Sequence, residues 1–91
     1  MAEMMEEAEK KKVGKITHYY QKIGVAIVDL EDTLSVGDHI EISGPNTNIT
    51  QTVDSMQIEH ENVQQAKKGA SIGLKVTDKV KENDVVYKIM G

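Results

Sequence analysis

The chain has 91 residues, no cysteine, a formal net charge of −4 and 11 basic residues, all of them lysine. One small domain is expected at this length. The lack of thiols excludes disulfide staples and thiolate metal sites. The lack of arginine, with an acidic total, argues against tight general nucleic-acid binding, DNA included. Arginine is the usual bidentate reader of phosphate and guanine.

Phe and Trp are also absent, so Val, Ile, Leu, Met and Ala must do most of the packing. The longest apolar run, Val25-Ala-Ile-Val28, is too short to cross a bilayer, so no membrane partner is expected. The stretch from Met1 to Glu7 lacks the pattern of a secretory signal. A cytoplasmic location is the expectation.

Residues 1–12 hold four Glu followed by three Lys, and no β-branched residue. Glu6–Lys10 and Glu7–Lys11 are spaced to pair along a helix, but a helix this short is marginal in water. A flexible or transiently helical tail is expected at 1–12, ahead of a β domain at 13–91.

The first strand runs from Val13 to Tyr20, and Gly14 within it suggests a bulge or a close backbone approach. Gly24 serves the connection to the second strand, Val25 to Leu30. Ala26, Val28 and Leu30 face the core there, because Asp29 lies on the other face. Leu34-Ser-Val-Gly-Asp-His-Ile-Glu-Ile-Ser-Gly44 reads as a corner that delivers a third strand, His39 to Ser43. Gly44 to Asn48 is a turn cluster containing the single proline. The fourth strand begins near Ile49 and continues past Val53. Val53 and Met56 can both face inward only if the strand bulges, and Ser55 is the expected site.

Gln57 to Asn62 continues as strand or bends away. Val63-Gln-Gln-Ala-Lys-Lys-Gly69 reads as a single helical turn or an irregular loop. The fifth strand is Ser71 to Val76, with Ile72, Leu74 and Val76 inward and Gly73 leaving room on the opposite face. A charged loop, Asp78 to Asp84, leads to the sixth strand, Val85 to Ile89. Six short strands joined by Gly, Asp and Asn turns indicate an all-β closed barrel or small sandwich. Closure is favoured because it removes exposed edges.

Chemistry-bearing residues do not converge in this reading. His18, His39 and His60 lack metal-ligand spacing. Asp29, Glu31 and Asp32 sit at a polar turn that offers no desolvation. Ser35, Ser43, Ser55 and Ser71 lack a nucleophile elbow. No enzyme activity, metal or cofactor is expected. The contact candidates are Tyr19 and Tyr20, one of them exposed beside Lys15 or Lys22 since adjacent strand residues face opposite ways, and Lys67-Lys68 with Lys22, Lys79 and Lys81 as a basic patch.

Several pieces in order carry a family resemblance: Val13-Gly-Lys-Ile, Gly24-Val-Ala-Ile-Val, the Leu34–Gly44 corner, Val53-Asp-Ser-Met56, Val63-Gln-Gln-Ala66, Gly69-Ala-Ser-Ile-Gly-Leu74 and Asn83-Asp-Val-Val86. Over roughly Val13 to Met90 the chain resembles domain 2 of translational GTPases of the elongation factor Tu type, and stand-alone translation elongation factor-like proteins. The resemblance implies a single closed six-stranded translation-factor β-barrel. Asn83 replaces the family's usual Gly, which the turn tolerates because Asn enters the left-handed region readily. No G-x-x-x-x-G-K-[ST] is present, so no GTPase activity is implied. The implied function is a non-catalytic module contacting ribosomal or transfer RNA or a translation protein. No contact residue is carried over from the family, and Tyr19, Tyr20, Lys22, Lys67 and Lys68 stand as candidates from the residues alone. A similar barrel closes the C-terminus of U32-type peptidases. The alternative expectation is therefore a protein-interaction barrel partnering a separately encoded enzyme of that type.

Overall fold

The computed structural model describes residues 10–90. Of the tail expected at residues 1–12, residues 1–9 lie outside the described residues, and Lys10 to Lys12 belong to the first strand instead. Runs of β-branched and alternating residues form ten strands. They are β1 (Lys10–Tyr20), β2 (Val25–Leu30), β3 (Leu34–Ser35), β4 (His39–Gly44), β5 (Thr47–Thr52), β6 (Met56–Ile58), β7 (Glu61–Val63), β8 (Gln65–Ala66), β9 (Ser71–Lys75) and β10 (Val85–Ile89). Eight of them make one sheet in the order β5-β4-β10-β1-β2-β9-β6-β7, and β3 pairs separately with β8. Among the described residues no helix is long and apolar enough to cross a membrane.

The inward face follows the alternation. Ala26, Val28 and Leu30 of β2, Ile40 and Ile42 of β4, and Ile72 and Leu74 of β9 are all buried. Val53 and Met56 are both buried as well, and the chain leaves the ladder at 53–55 between them. An irregular stretch here re-aims alternate side chains, as a bulge does.

The all-β expectation holds, but the closed barrel does not. The eight-stranded sheet is open, with β5 and β7 at its edges. A side chain, and no backbone ladder, links β5 to the end of β9. The Nε2 of Gln51 donates to the Lys75 carbonyl at 2.9 Å. Its Oε1 accepts from the Thr77 backbone N–H at 2.9 Å and from the Thr77 hydroxyl at 3.2 Å. An amide carries one acceptor and a donor group, so it satisfies a carbonyl and an N–H much as a strand residue would.

Strand count is the second correction. Six strands were expected and ten form among the described residues, because four short strands, β3, β6, β7 and β8, escaped the alternation reading. The segment from Val63 to Gly69 holds no helical turn: it completes β7, forms β8 and then turns through Lys67 to Ala70. Leu34 pairs with Ala66 and Ser35 with Gln65. A two-residue ladder leaves no periodicity to read. The fourth strand also starts earlier than expected, at Thr47.

Two corners repeat one geometry. Asp38 donates its backbone N–H to Ser35, and its carboxylate accepts from the Ser35 N–H at 2.9 Å. Asp84 donates its N–H to Lys81, and its carboxylate accepts from the Lys81 N–H at 2.9 Å. The preceding residues, Gly37 and Asn83, have φ of 97° and 77°. This is the left-handed position of a type II turn, which Gly and Asn fill at least cost. The two corners feed β4 and β10, which lie side by side in the sheet.

Candidate functional site

The outer face of the sheet carries the most unusual surface. Because Ala26, Val28 and Leu30 point inward, Val25, Ile27 and Asp29 of β2 point outward. Register then fixes their neighbours. Tyr20 and His18 of β1 lie opposite Val25 and Ile27. Ile27 lies opposite Gly73 of β9, Gly73 opposite Gln57 of β6, and Gln57 opposite Asn62 of β7. Gln57 Nε2 donates to Asn62 Oδ1 at 3.2 Å.

Gly73 interrupts that row of side chains. The gap forms the floor of an open groove of about 420 Å³, whose walls include Tyr20, Ile23, Val25, Ile27, Gln57 and His60. Packing does not force the gap. A Cβ on Gly73 would approach nothing closer than the Val25 Cγ1, at 3.4 Å. Tyr20 is 47% exposed and Ile23 62%, so two of the three large exposed apolar side chains among the described residues sit at this groove. Exposed apolar side chains are unremarkable singly, but a lined groove is the form a recognition surface takes.

Polar groups hold the rim. The His18 ring packs on the Tyr20 ring, with centroids 4.4 Å apart and planes at 57°. The His18 Nδ1 lies 3.4 Å from the Glu82 carboxylate. Across the groove, Glu59 and His60 turn β6 into β7 with φ of 51° and 68°. A two-residue turn of this kind prefers Asn-Gly. Two residues with side chains in the left-handed region cost roughly 1–2 kcal/mol each. The turn therefore holds Glu59 and His60 at the groove mouth against local preference, as functional sites often do.

Ser71, His60 and Glu59 all line the groove. Among the described residues no hydrogen bond joins any two of them, so they do not form the nucleophile–base–acid relay that acyl transfer requires. His18 stands at the rim on Tyr20, and His39 sits elsewhere, with its Nδ1 at 3.1 Å from the Thr52 hydroxyl. No group of three or more His, Cys, Asp or Glu able to hold a metal occurs among the described residues.

The expected contact residues do not form one patch. Tyr19 turns inward and packs against the core, half-buried, whereas Tyr20 faces out. Lys22 lies in the turn from Tyr20 to Gly24, beside the groove. Lys67 and Lys68 lie in a turn fastened to Leu30, through Gly69 N–H to the Leu30 carbonyl and Leu30 N–H to the Ala70 carbonyl, each 2.9 Å. Leu30 and Val25 are opposite ends of β2, separated by roughly 3.3 Å per residue, or about 17 Å. Sequence reading pooled these lysines because it had no register. It missed Ile23, Ile27, Gln57 and His60 as surface residues, although the outward alternation of Val25, Ile27 and Asp29 beside Gly73 was a usable signal.

The acids near the Lys67 end are engaged. Glu31 pairs with Lys12 at 3.3 Å, and Asp32 with Lys11. The Lys11 ammonium hydrogen-bonded to Asp32, helped by the Thr33 N–H, holds the Asp32 carboxyl below the usual carboxylate range.

Comparison with known proteins gives the family of the chain. Residues 8–86 match the family described as the peptidase family U32 C-terminal domain. A Methanocaldococcus jannaschii protein named as an uncharacterized protease is 40% identical over 79 residues, covering 86% of this chain and 19% of its own. A collagenase of Porphyromonas gingivalis is 38% identical over 82 residues, covering 88% and 23%. The crystal structure of the C-terminal domain of a Geobacillus thermoleovorans protein classed as a U32 peptidase superposes with a TM-score of 0.80 at 22% identity, covering 86% of this chain and 91% of that one. The chain thus spans about a fifth of the length of the curated relatives it matches. These matches overturn the translation-factor resemblance, and the ribosomal and transfer RNA reading falls with it. Strand order and Gly-Asp corners are fold-level features, and they carried that resemblance without any contact residue.

Proposed function

The chain belongs to the peptidase family U32 C-terminal domain family, and from that premise we propose that it is a docking domain of a U32-type peptidase. Its occupant is the peptidase portion, seated on the outer-face groove. The groove over Gly73 carries the reading: an apolar, exposed recess whose emptiness internal packing does not require. The relatives favour this occupant, since about four-fifths of their length lies outside the matched segment. Tyr20 and Ile23 anchor the contact and Lys22 flanks it. In this reading the chain contributes binding, and peptide-bond cleavage belongs to the rest of the peptidase.

The test uses the Methanocaldococcus jannaschii relative with its matched segment removed, titrated with this chain in a calorimeter. Binding is expected, and Gly73→Val should weaken it at least about tenfold by filling the recess. Val suits a strand better than Gly, so the melting temperature should not fall. Lys67→Glu with Lys68→Glu, at the far end of β2, should leave binding unchanged. Undiminished binding by both Gly73→Val and Tyr20→Ala would sink the proposal.

A further inference from the structure

The two edges of the open sheet are unlike. At one edge β7 is three residues long, begins with Glu61 and follows the strained Glu59–His60 turn. Shortness and charge are the usual guards against strand addition. At the other edge β5 is six residues long, Thr-Asn-Ile-Thr-Gln-Thr, with no charge and no proline. Its register against β4 runs unbroken from Thr47 to Thr52. Charge, proline and shortness are absent as guards, and only the C-terminal end of the strand is tied down, where the Gln51 amide holds Lys75 and Thr77 and donates to the Thr52 carbonyl at 3.5 Å.

The direction of its backbone groups follows from the ladder. Val53 both donates to the Asp38 carbonyl and accepts from Gly37, at 2.8 and 2.9 Å. In an antiparallel pair, residues alternate between exchanging both bonds with the partner and pointing both groups away. Residues 47, 49 and 51 share the parity of Val53 and bond to β4. Asn48, Thr50 and Thr52 therefore point their N–H and C=O outward. Asn48 and Thr50 are exposed, and no backbone group among the described residues bonds to them from that side.

We infer that the β5 edge, through the outward backbone groups of Asn48 and Thr50, holds an extended segment of substrate polypeptide as an added strand. A row of alternating donors and acceptors is complementary to extended backbone and to little else. A second copy of the chain is the weaker occupant. One six-residue strand pair falls far short of the roughly 1,200 Å² that a stable interface buries. A short, sequence-tolerant, transient hold suits a polypeptide on its way to cleavage. The identity of the occupant as substrate rests on the docking-domain reading; the capacity of the edge to bind extended chain does not.

The probe is reduced, carboxyamidomethylated lysozyme, a chain kept unfolded, mixed with the full protein at high salt to suppress charge attraction. Exchange of the Asn48 and Thr50 amides should slow on addition of the probe. Thr50→Pro removes one outward donor at an edge, where proline is tolerated. It should weaken binding about fivefold, the worth of one backbone hydrogen bond. Thr50→Ala, which keeps the N–H, should bind normally. A polyproline peptide, lacking N–H groups, should not compete. Unchanged exchange at β5, full binding by a folded Thr50→Pro protein, or competition by polyproline would each overturn the inference. If Thr50→Pro does not fold, the exchange measurement on the unaltered protein decides alone. Gly73→Val should leave probe binding intact while weakening docking of the peptidase portion, so the two readings fail separately. Concentration-dependent dimerisation lost in Thr50→Pro would assign the edge to a second copy and likewise overturn it.

Discussion

The carboxylate of Asp84 occupies the space that a side chain on Gly44 would need. Asp84 is only 2% exposed, and its Oδ2 is committed to the Lys81 N–H. Neither partner is free to yield. Gly44→Ala should therefore cost about 1–3 kcal/mol, the usual penalty of overpacking a filled site, read as a lower denaturation midpoint. Asp84→Asn, which keeps an acceptor of the same shape, should cost less.

Gly14 shows the same constraint from a backbone neighbour. A Cβ there would stand 2.7 Å from the Asp29 carbonyl oxygen and 2.7 Å from the Val28 Cγ1. The carbonyl belongs to the β1–β2 ladder and cannot swing aside. Gly14→Ala should destabilise more than Gly73→Ala, and paired urea titrations of the two variants check the order. Equal midpoints would contradict it.

Gln51 ties β5 to the chain beyond β9 by three hydrogen bonds. Gln51→Leu leaves the Lys75 carbonyl and the Thr77 N–H to water, both residues being exposed, so the loss should be near the net worth of a hydrogen bond, about 1 kcal/mol. Amide exchange should quicken at Thr77 before it quickens in β1 or β2.

The Asp32 carboxyl should titrate below its ordinary value because ionisation keeps the Lys11 bond. Folding then gains from this pair above the unfolded carboxylate pKa and loses it as pH falls through the lower folded value. Lys11→Gln should move the Asp32 midpoint upward in a carbon-detected NMR titration. An unmoved midpoint would remove Lys11 as the cause.

At the β6–β7 turn, Glu59→Asn with His60→Gly should raise the denaturation midpoint, because both positions have φ that Asn and Gly accept cheaply. If the strain serves docking, the same variant should bind the peptidase portion less well.

Much of the sheet was legible. The inward faces of β2 and β9 followed from strict alternation, and the Gly37–Asp38 and Asn83–Asp84 corners from turn chemistry. What escaped had a local cause in each case. The β6–β7 hairpin turns on Glu-His, which carries no turn signal. The β3–β8 pair is too short to alternate. Closure was inferred from the general cost of edges, whereas a single glutamine side chain meets part of that cost at β5. The groove was half visible, since Gly73 was read as an empty place, yet which residues faced it depended on the registers of β1, β2, β9 and β6. The family assignment was misplaced because shared corners and strand order mark an architecture, while Lys22 and the Lys67–Lys68 pair sit at opposite ends of β2.

The position of β10 has a consequence in time. It is the final strand in the described chain, yet it lies in the interior of the sheet, between β4 and β1. Until it arrives, the β4–β5 hairpin has no backbone link to the β1–β2–β9 block. A nascent chain must therefore wait for residues 85–89 before its central strands can assemble. Folding of this domain should be governed by distant rather than neighbouring contacts, in milliseconds to seconds rather than microseconds.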